Sequence, residues 1–166
     1  MEMASGDYIV LADHDDTLTP DALFCCVKAM NESGPYDILY SDEDKLDMDG
    51  QALFDPHFKP DFNEDLLTSV NYICHLFVVD RDLVREVGGF RQEFDGAQDY
   101  DFIFRCTEKT TKICHIPRVL YHWRCHMNST SSNPESKTYA FEAGARAIKA
   151  HFERLGIGVE SVEKGI

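Results

Sequence analysis

The stretch YIVLADHDDTLTP, residues 8–20, places an apolar run directly before three acidic side chains. The apolar run predicts a short buried strand, and Thr19 followed by Pro20 is typical of the N-cap and first position of a helix. A second apolar run, YDILYSD at residues 36–42, follows that helix and also ends in an acid. A strand, a helix and a strand in this order predict an α/β fold.

The sequence beyond residue 42 predicts further strands and helices. They are a hairpin at Asp49-Gly50, a short helix from Asn63 to Val70, a strand at 75–80 and a short helix in 81–90 that Gly88-Gly89 ends. A helix at 97–109, strands at 112–117 and 119–124, and a last helix opened by Asn133-Pro134 follow. In the last helix, apolar residues spaced by three and four predict the buried face. These residues are Phe141, Ala145, Ile148, Phe152 and Leu155.

The composition limits the classes of function. The chain has 166 residues, about one domain, and a net charge of −14. Residues 1–66 carry 17 acidic side chains against three basic ones, so nucleic acid is not an expected partner. No apolar run approaches the ~18 residues of a membrane span, and the first residues lack the pattern of a signal peptide. Six cysteines without C-x-x-C spacing predict reduced thiols in a cytosolic protein.

The acids that follow the first strand can be interpreted as a metal site, a phosphoryl-accepting aspartate or an acidic turn. Ligands of open α/β sheets bind beyond the carboxyl ends of strands, where Asp13 and Asp15 lie, and carboxylates suit Mg²⁺ or Mn²⁺. The nine residues VLADHDDTL also resemble the first motif of haloacid-dehalogenase-like phosphatases. That resemblance implies Asp13 as the nucleophile, Asp15 as the acid/base and Mg²⁺ as cofactor, although Asp16 replaces the usual glycine.

A second resemblance extends through most of the chain. Four stretches are similar, in order and spacing, to the family 2 glycosyltransferases of the GT-A fold that act in bacterial polysaccharide synthesis. They are ASGDYIVLADHDDTLTPDAL (4–23) with its D-x-D motif, DILYSDEDK (37–45), VREVGGFRQEFDGAQDYDFIFR (84–105) and RVLYHWRCHMNSTS (118–131). The third stretch is the most specific, and it departs from the family in having Gln98 where glutamate is usual.

The resemblance implies a fold and a domain organisation. The fold is the carboxyl-terminal portion of a GT-A fold, a mixed sheet flanked by helices. Residues 1–156 form a partial domain that lacks the amino-terminal nucleotide-binding unit, and residues 157–166 resemble a linker. Missing neighbouring strands would leave a sheet edge open to self-association. The implied location is cytoplasmic, with the parent protein peripheral at the inner face of the membrane.

The resemblance also assigns roles to individual residues. Asp99 is the catalytic base. The ligands of Mn²⁺ or Mg²⁺ are Asp13, Asp15 and His122. The donor diphosphate and ribose contact Asp13, Arg124, His126, Ser129 and Thr130. The acceptor side comprises Gly96, Ala97, Gln98 and Asp42. Trp123 is interpreted as a core residue rather than a sugar platform.

The implied activity is inverting, metal-assisted transfer of a sugar from a nucleotide-sugar donor to a polysaccharide or glycolipid acceptor. We expect the isolated chain to be inactive, because it lacks the unit that grips the base and ribose. Two alternatives remain open at this point. One is the Mg²⁺-dependent phosphatase with Asp13 as nucleophile, and the other is a non-catalytic carbohydrate-binding remnant.

Overall fold

The computed structural model describes residues 3–125 and 138–165. Its strands form one six-stranded sheet in the order β1-β5-β3-β6-β2, with β4 paired to β3. The strands are β1 (Tyr8–Leu11), β2 (Thr17–Leu18), β3 (Ile38–Leu46), β4 (Leu53–His57), β5 (Phe77–Asp80) and β6 (Ile113–Arg124). The helices are α1 (Ala22–Ser33), α2 (Glu64–Leu67), α3 (Arg81–Val87), α4 (Gln98–Thr107) and α5 (Thr138–Arg154), with a 3-10 turn at Gln92–Phe94.

The sheet is mixed, as expected. The central strand β3 pairs parallel with β6 and antiparallel with β4 and β5. The outer strands β1 and β2 pair antiparallel with β5 and β6. Because β1 and β5 are antiparallel, the carboxyl end of β1 lies beside the first residue of β5. Residues 13–16 therefore lie close to the segment that precedes β5.

Helices cover both faces of the sheet, so the inner strands are apolar on both sides. On one face Ile38 and Tyr40 of β3 pack with α3, α4 and α5. On the other face Leu39 packs with Cys25 and Cys26 of α1. The predicted inward residues of α4, Phe102, Ile103 and Cys106, are fully buried, which confirms that prediction. No helix within residues 3–125 and 138–165 has the length and hydropathy needed to cross a membrane.

Two predictions about the strands were wrong. The stretches 112–117 and 119–124 form one strand, β6, because the register along β3 shifts between Ile116 and Val119 and a bulge accommodates Pro117. Strand β3 continues past its predicted end at Asp42 to Leu46, so Glu43 and Asp44 also lie inside the sheet. Pairing with β4 and β6 on both sides keeps β3 extended there.

The predicted buried face of α5 was wrong in part, although Ile148 packs against the core as expected. Its buried residues are Ala143, Ala147 and His151, whereas Phe141 and Leu155 are exposed. The two faces differ by about a third of a turn at 3.6 residues per turn. The small alanines allow close packing on α4, where the His151 ring stacks on Phe104 at 4.3 Å between centroids. The predicted start of this helix at Asn133-Pro134 lies outside the described residues.

Candidate active site

The acidic turn after β1 is attached to the end of β6. The Asp16 carboxylate accepts hydrogen bonds from the Tyr121 hydroxyl at 2.5 Å and from the Arg124 amide at 2.7 Å. The Asp13 amide donates to the same Tyr121 hydroxyl at 3.0 Å. Burial raises the pKa of Asp16 and outweighs these hydrogen bonds, which lower it. A bound cation would stabilise the charged form of this carboxyl.

A potential metal-ligand set lies at this turn. Ligand atoms of Asp13, Asp16 and His75 all lie within 4.8 Å of one another. The His75 ring stacks on Tyr121 at 4.7 Å, and the His75 amide donates to Glu43 at 2.5 Å. Carboxylate oxygens and an imidazole nitrogen suit Mn²⁺ and Mg²⁺ to different degrees, because magnesium prefers oxygen and manganese accepts both. The donor set therefore fits a divalent cation.

The structure places the other two predicted metal ligands outside this set. The Asp15 carboxylate lies 3.9 Å from the ring of His14, and the Asp15 carbonyl accepts from Arg124 at 2.7 Å. His122 lies 2.5 Å from Asp44 of β3. Neighbouring residues of a strand point to opposite faces, so His122 and Tyr121 face different sides of β6.

Arg124, the predicted diphosphate contact, connects three segments. In addition to the acidic turn, its guanidinium lies within 3.4 Å of the carbonyls of Asp47 and Met48 in the β3–β4 turn. The half-buried side chain thus fixes the turn at one end of the site. The other predicted contacts, His126, Ser129 and Thr130, lie outside the described residues.

A cavity of about 920 Å³, the main cavity, is lined by residues of the first and third sequence motifs. Asp13 and His75 lie on its wall, and Asp99 lines it from the amino-terminal turn of α4. The Asn71 amide donates to Asp99 at 3.0 Å. Asp99 is partly exposed in this cavity, so it can meet a proton donor.

Of the four predicted acceptor-side residues, two line the cavity and two are buried outside it. Gly96 and Gln98 line the cavity beside Asp99, and the Gln98 amide oxygen accepts from the Gly96 amide at 3.0 Å. Gly96 has a φ of 98°, and a Cβ there would lie 2.6 Å from the Tyr139 ring, so glycine is required. Ala97 is buried at the N-cap of α4.

Asp42 does not line the cavity. It is 3% exposed, accepts from the Lys59 amide at 2.9 Å and lies 2.8 Å from Nε2 of His115. Lys59 is itself buried, 3.5 Å from Glu43, and its ammonium donates to the carbonyls of Ile73 and His75. Burial lowers the pKa of Lys59, and Glu43 opposes that shift. These contacts hold the segment that carries His75.

Sequence reasoning missed four residues of the site: Asp16, Glu43, Asn71 and His75. Asp16 and Glu43 belong to acidic stretches in which other residues were chosen. Asn71 and His75 lie in NYICHLF, residues 71–77. Polar residues at the start of a predicted strand are the feature that indicates a site there.

No family model matches the chain. The chain is 49% identical over 156 residues to the uncharacterised protein y4gI of Sinorhizobium fredii (93% of this chain, 17% of the relative). It is 40% identical over 155 residues to the O-antigen biosynthesis protein RfbC of Myxococcus xanthus (93% and 12%). It is 26% identical over 131 residues to the chondroitin synthase of Pasteurella multocida (79% and 14%). The chain therefore spans less than a fifth of each of these relatives.

Among solved structures, S. aureus TarS residues 1–349 in complex with UDP-GlcNAc is similar to this chain. The TM-score is 0.63 at 17% identity, over 96% of this chain and 46% of that one. This likeness shows the fold, which is the carboxyl-terminal portion of a GT-A fold. In sequence, the chain is similar over most of its own length to RfbC and to the chondroitin and hyaluronan synthases.

Proposed function

We propose that this chain supplies the metal-binding and acceptor-activating half of an inverting glycosyltransferase. One observation carries the proposal: Asp13 of the acidic turn and Asp99 of α4 line the same cavity. Sugar transfer needs a group that neutralises the leaving diphosphate and a group that takes the acceptor proton. The cavity holds a candidate for each.

The proposed donor is a nucleotide sugar. TarS, which shares the fold, has been solved with UDP-GlcNAc. The proposed acceptor is a growing saccharide or glycolipid of the bacterial envelope, since RfbC is named for O-antigen biosynthesis. We place the parent protein in the cytoplasm, peripheral to the inner face of the membrane.

The proposed cofactor is Mn²⁺ or Mg²⁺. Asp13 would hold it, together with Asp16 and His75 in the arrangement that the structure has; Asp15 and His122 remain the alternative ligands from the sequence. When bound, such a cation supplies Lewis-acid stabilisation of the leaving diphosphate. Arg124, His126, Ser129 and Thr130 are the proposed contacts to the phosphates and ribose, because their donors suit phosphate oxygens.

Asp99 is the proposed base. Asn71 donates to Oδ2 of Asp99, so the carboxylate has a fixed orientation, and its Oδ1 is the proposed acceptor of the hydroxyl proton. Gly96 and Gln98 shape the wall beside it, and Ala97 is buried between them. We propose a buried structural role for Asp42 in place of an acceptor contact. One displacement assisted by one base implies inversion at the anomeric carbon.

The phosphatase alternative gains no support from the relatives, which include RfbC and polysaccharide synthases. A chemical test separates the two enzymes. Only a phosphatase of that type would trap beryllofluoride on Asp13, and we expect no such adduct.

Removal of one metal ligand tests the proposed cation site. We expect Mn²⁺ to bind the wild-type chain weakly, and His75→Ala or Asp16→Asn to weaken it by about tenfold or more, or ~1.4 kcal/mol. Because burial raises the pKa of Asp16, affinity should fall as the pH is lowered through that pKa, where protons compete with the cation. Paramagnetic broadening by Mn²⁺ or titration calorimetry measures this.

The matched controls are His122→Ala and Asp15→Asn. Unchanged binding in both supports the ligand set of Asp13, Asp16 and His75. Loss of binding in the controls and not in His75→Ala would instead support the set read from the sequence.

A further inference from the structure

A second pocket of about 320 Å³ adjoins the main cavity at the β3–β4 hairpin. The two share three lining residues, Glu43, His57 and Trp123. We propose that this hairpin pocket is an extension subsite that binds the sugars preceding the acceptor residue, and that it selects uncharged sugars. The proposal rests on the proposed transferase function and adds an acceptor class to it.

Trp123 provides the platform for a sugar ring. It is half-buried near the end of β6, opposite Lys45 of β3, and its ring meets His75 edge-on at 6.1 Å. The side chain is therefore held in place by the site and still lines both pockets. A flat aromatic ring offers a large apolar surface, and the C–H faces of a pyranose pack on such a surface.

Polar groups surround this platform. Glu43 is fixed by the His75 amide and by Lys59. His57 lies 3.4 Å from Glu43 and is half exposed. Ligand sites of this type combine an apolar surface with a few fixed polar groups, which give orientation and specificity. The carboxylate and imidazole lie next to each other and can hydrogen-bond hydroxyls of the sugar ring that stacks on Trp123.

The charges of the hairpin pocket select against anionic sugars. Its lining includes the carboxylates of Glu43 and Asp55, and Lys45 is the one lysine among its lining residues. The Asp44 carboxylate faces the other side of the sheet, where it pairs with His122. Lys45 is already paired with Asp55. A uronic acid or phosphate in this pocket would meet like charges, which disfavour binding. A chain of neutral sugars meets no such penalty.

The position of Asp99 gives the acceptor a direction. Asp99 lines the main cavity and is absent from the lining of the hairpin pocket. The sugar whose hydroxyl is activated therefore lies in the main cavity. The preceding sugars pass Trp123 and His57 into the hairpin pocket, so a longer acceptor makes more contacts than a monosaccharide.

The chain contains a single tryptophan, so tryptophan fluorescence reports on the surroundings of Trp123. We expect a saturable emission change with at least one neutral tetrasaccharide among chito-, cello- and maltotetraose. The corresponding monosaccharide should bind about tenfold more weakly, and so should an anionic hyaluronan tetrasaccharide at low salt. No response to any of the three neutral probes up to about 10 mM, where the binding free energy is only ~3 kcal/mol, overturns the proposal.

Substitutions locate the binding. His57→Ala should weaken binding of the tetrasaccharide by about tenfold. Phe58→Ala is the matched control and should leave binding unchanged, because Phe58 is 71% exposed and lines neither pocket. Asp55→Asn frees Lys45 and should improve binding of the anionic probe. Equal loss in His57→Ala and Phe58→Ala, or tighter binding of the anionic probe by the wild type, contradicts the proposal.

The Mn²⁺ affinity of each variant is measured on the same samples. A chain that binds Mn²⁺ normally and no neutral sugar contradicts the subsite alone. A chain that binds the sugars, from a parent protein that transfers none, contradicts the proposed transferase and leaves a saccharide-binding site.

Discussion

Asp99→Asn in the full-length parent protein is expected to lower kcat by about 10²–10⁴-fold while the affinity for the nucleotide sugar stays close to that of the wild type. The reason is that a general base acts on the acceptor proton in the transition state and adds little to donor binding in the ground state. Asparagine keeps the size of the side chain and the contact with Asn71, so a loss of activity reports the loss of the base. A radiolabelled sugar-transfer assay gives kcat, and calorimetry gives the donor affinity.

Two further variants make this experiment specific. Asp95→Asn is the matched control, since Asp95 precedes the same helix and is absent from the cavity lining. Asn71→Ala removes the hydrogen bond that orients Asp99 and should lower kcat by a smaller factor than Asp99→Asn. If Asp99→Asn keeps most of kcat, the base lies elsewhere. Asp101 is then a poor substitute, because it is fully buried between arginines.

The fold was largely predictable because its elements have strong local signals. Apolar runs that end in polar residues marked β1 and β5, and Asn63 caps α2 as predicted, with its side chain accepting from the Leu66 amide. Gly88, with a φ of 78°, ends α3 where the sequence predicted. These features depend on neighbours in the chain, so the sequence alone shows them.

Contacts between distant segments were harder to predict. The burial of Asp42, Glu43 and Asp44 inside β3 depends on partners far along the chain, among them His115 and His122 of β6. Nothing near residue 42 shows that these histidines will lie beside it. The same holds for Trp123, which was interpreted as core: its exposure is set by the pocket that the β3–β4 hairpin leaves open.

The residues of the candidate site also divide into those that a local motif identifies and those that only folding brings together. Asp13 and Asp99 were identified because they belong to motifs with characteristic spacing, and the structure brings them to one cavity. His75 and Asn71 belong to no such motif, and only folding places them beside these acids. The roles of all four residues remain proposals that the experiments above decide.

The other large effect concerns stability, and it arises at the GGF segment, residues 88–90, between α3 and the 3-10 turn. Asp101 of α4 is 0% exposed and lies 2.9 Å from Arg105 and 3.0 Å from Arg91. Arg105 is 6% exposed, and it also donates to the carbonyls of Val87, Gly88 and Gly89. The aspartate thus neutralises an arginine that fastens the Gly-Gly loop to α4, the helix that carries Asp99.

Asp101→Ala should lower the free energy of unfolding by about 3–5 kcal/mol, because it leaves the Arg105 guanidinium buried without its counter-charge. The total free energy of unfolding of a domain of this size is only about 5–15 kcal/mol. Arg91→Ala is the milder variant: Arg91 is partly exposed, and its loss leaves Asp101 paired with Arg105. Asp82→Ala is the matched control, since it breaks an exposed pair with Arg85 and should cost under ~1 kcal/mol. Urea unfolding followed by circular dichroism gives the three values. If Asp101→Ala costs no more than Asp82→Ala, then the buried ion pairs do not fasten the loop, and its carbonyl hydrogen bonds to Arg105 hold it without the aspartate.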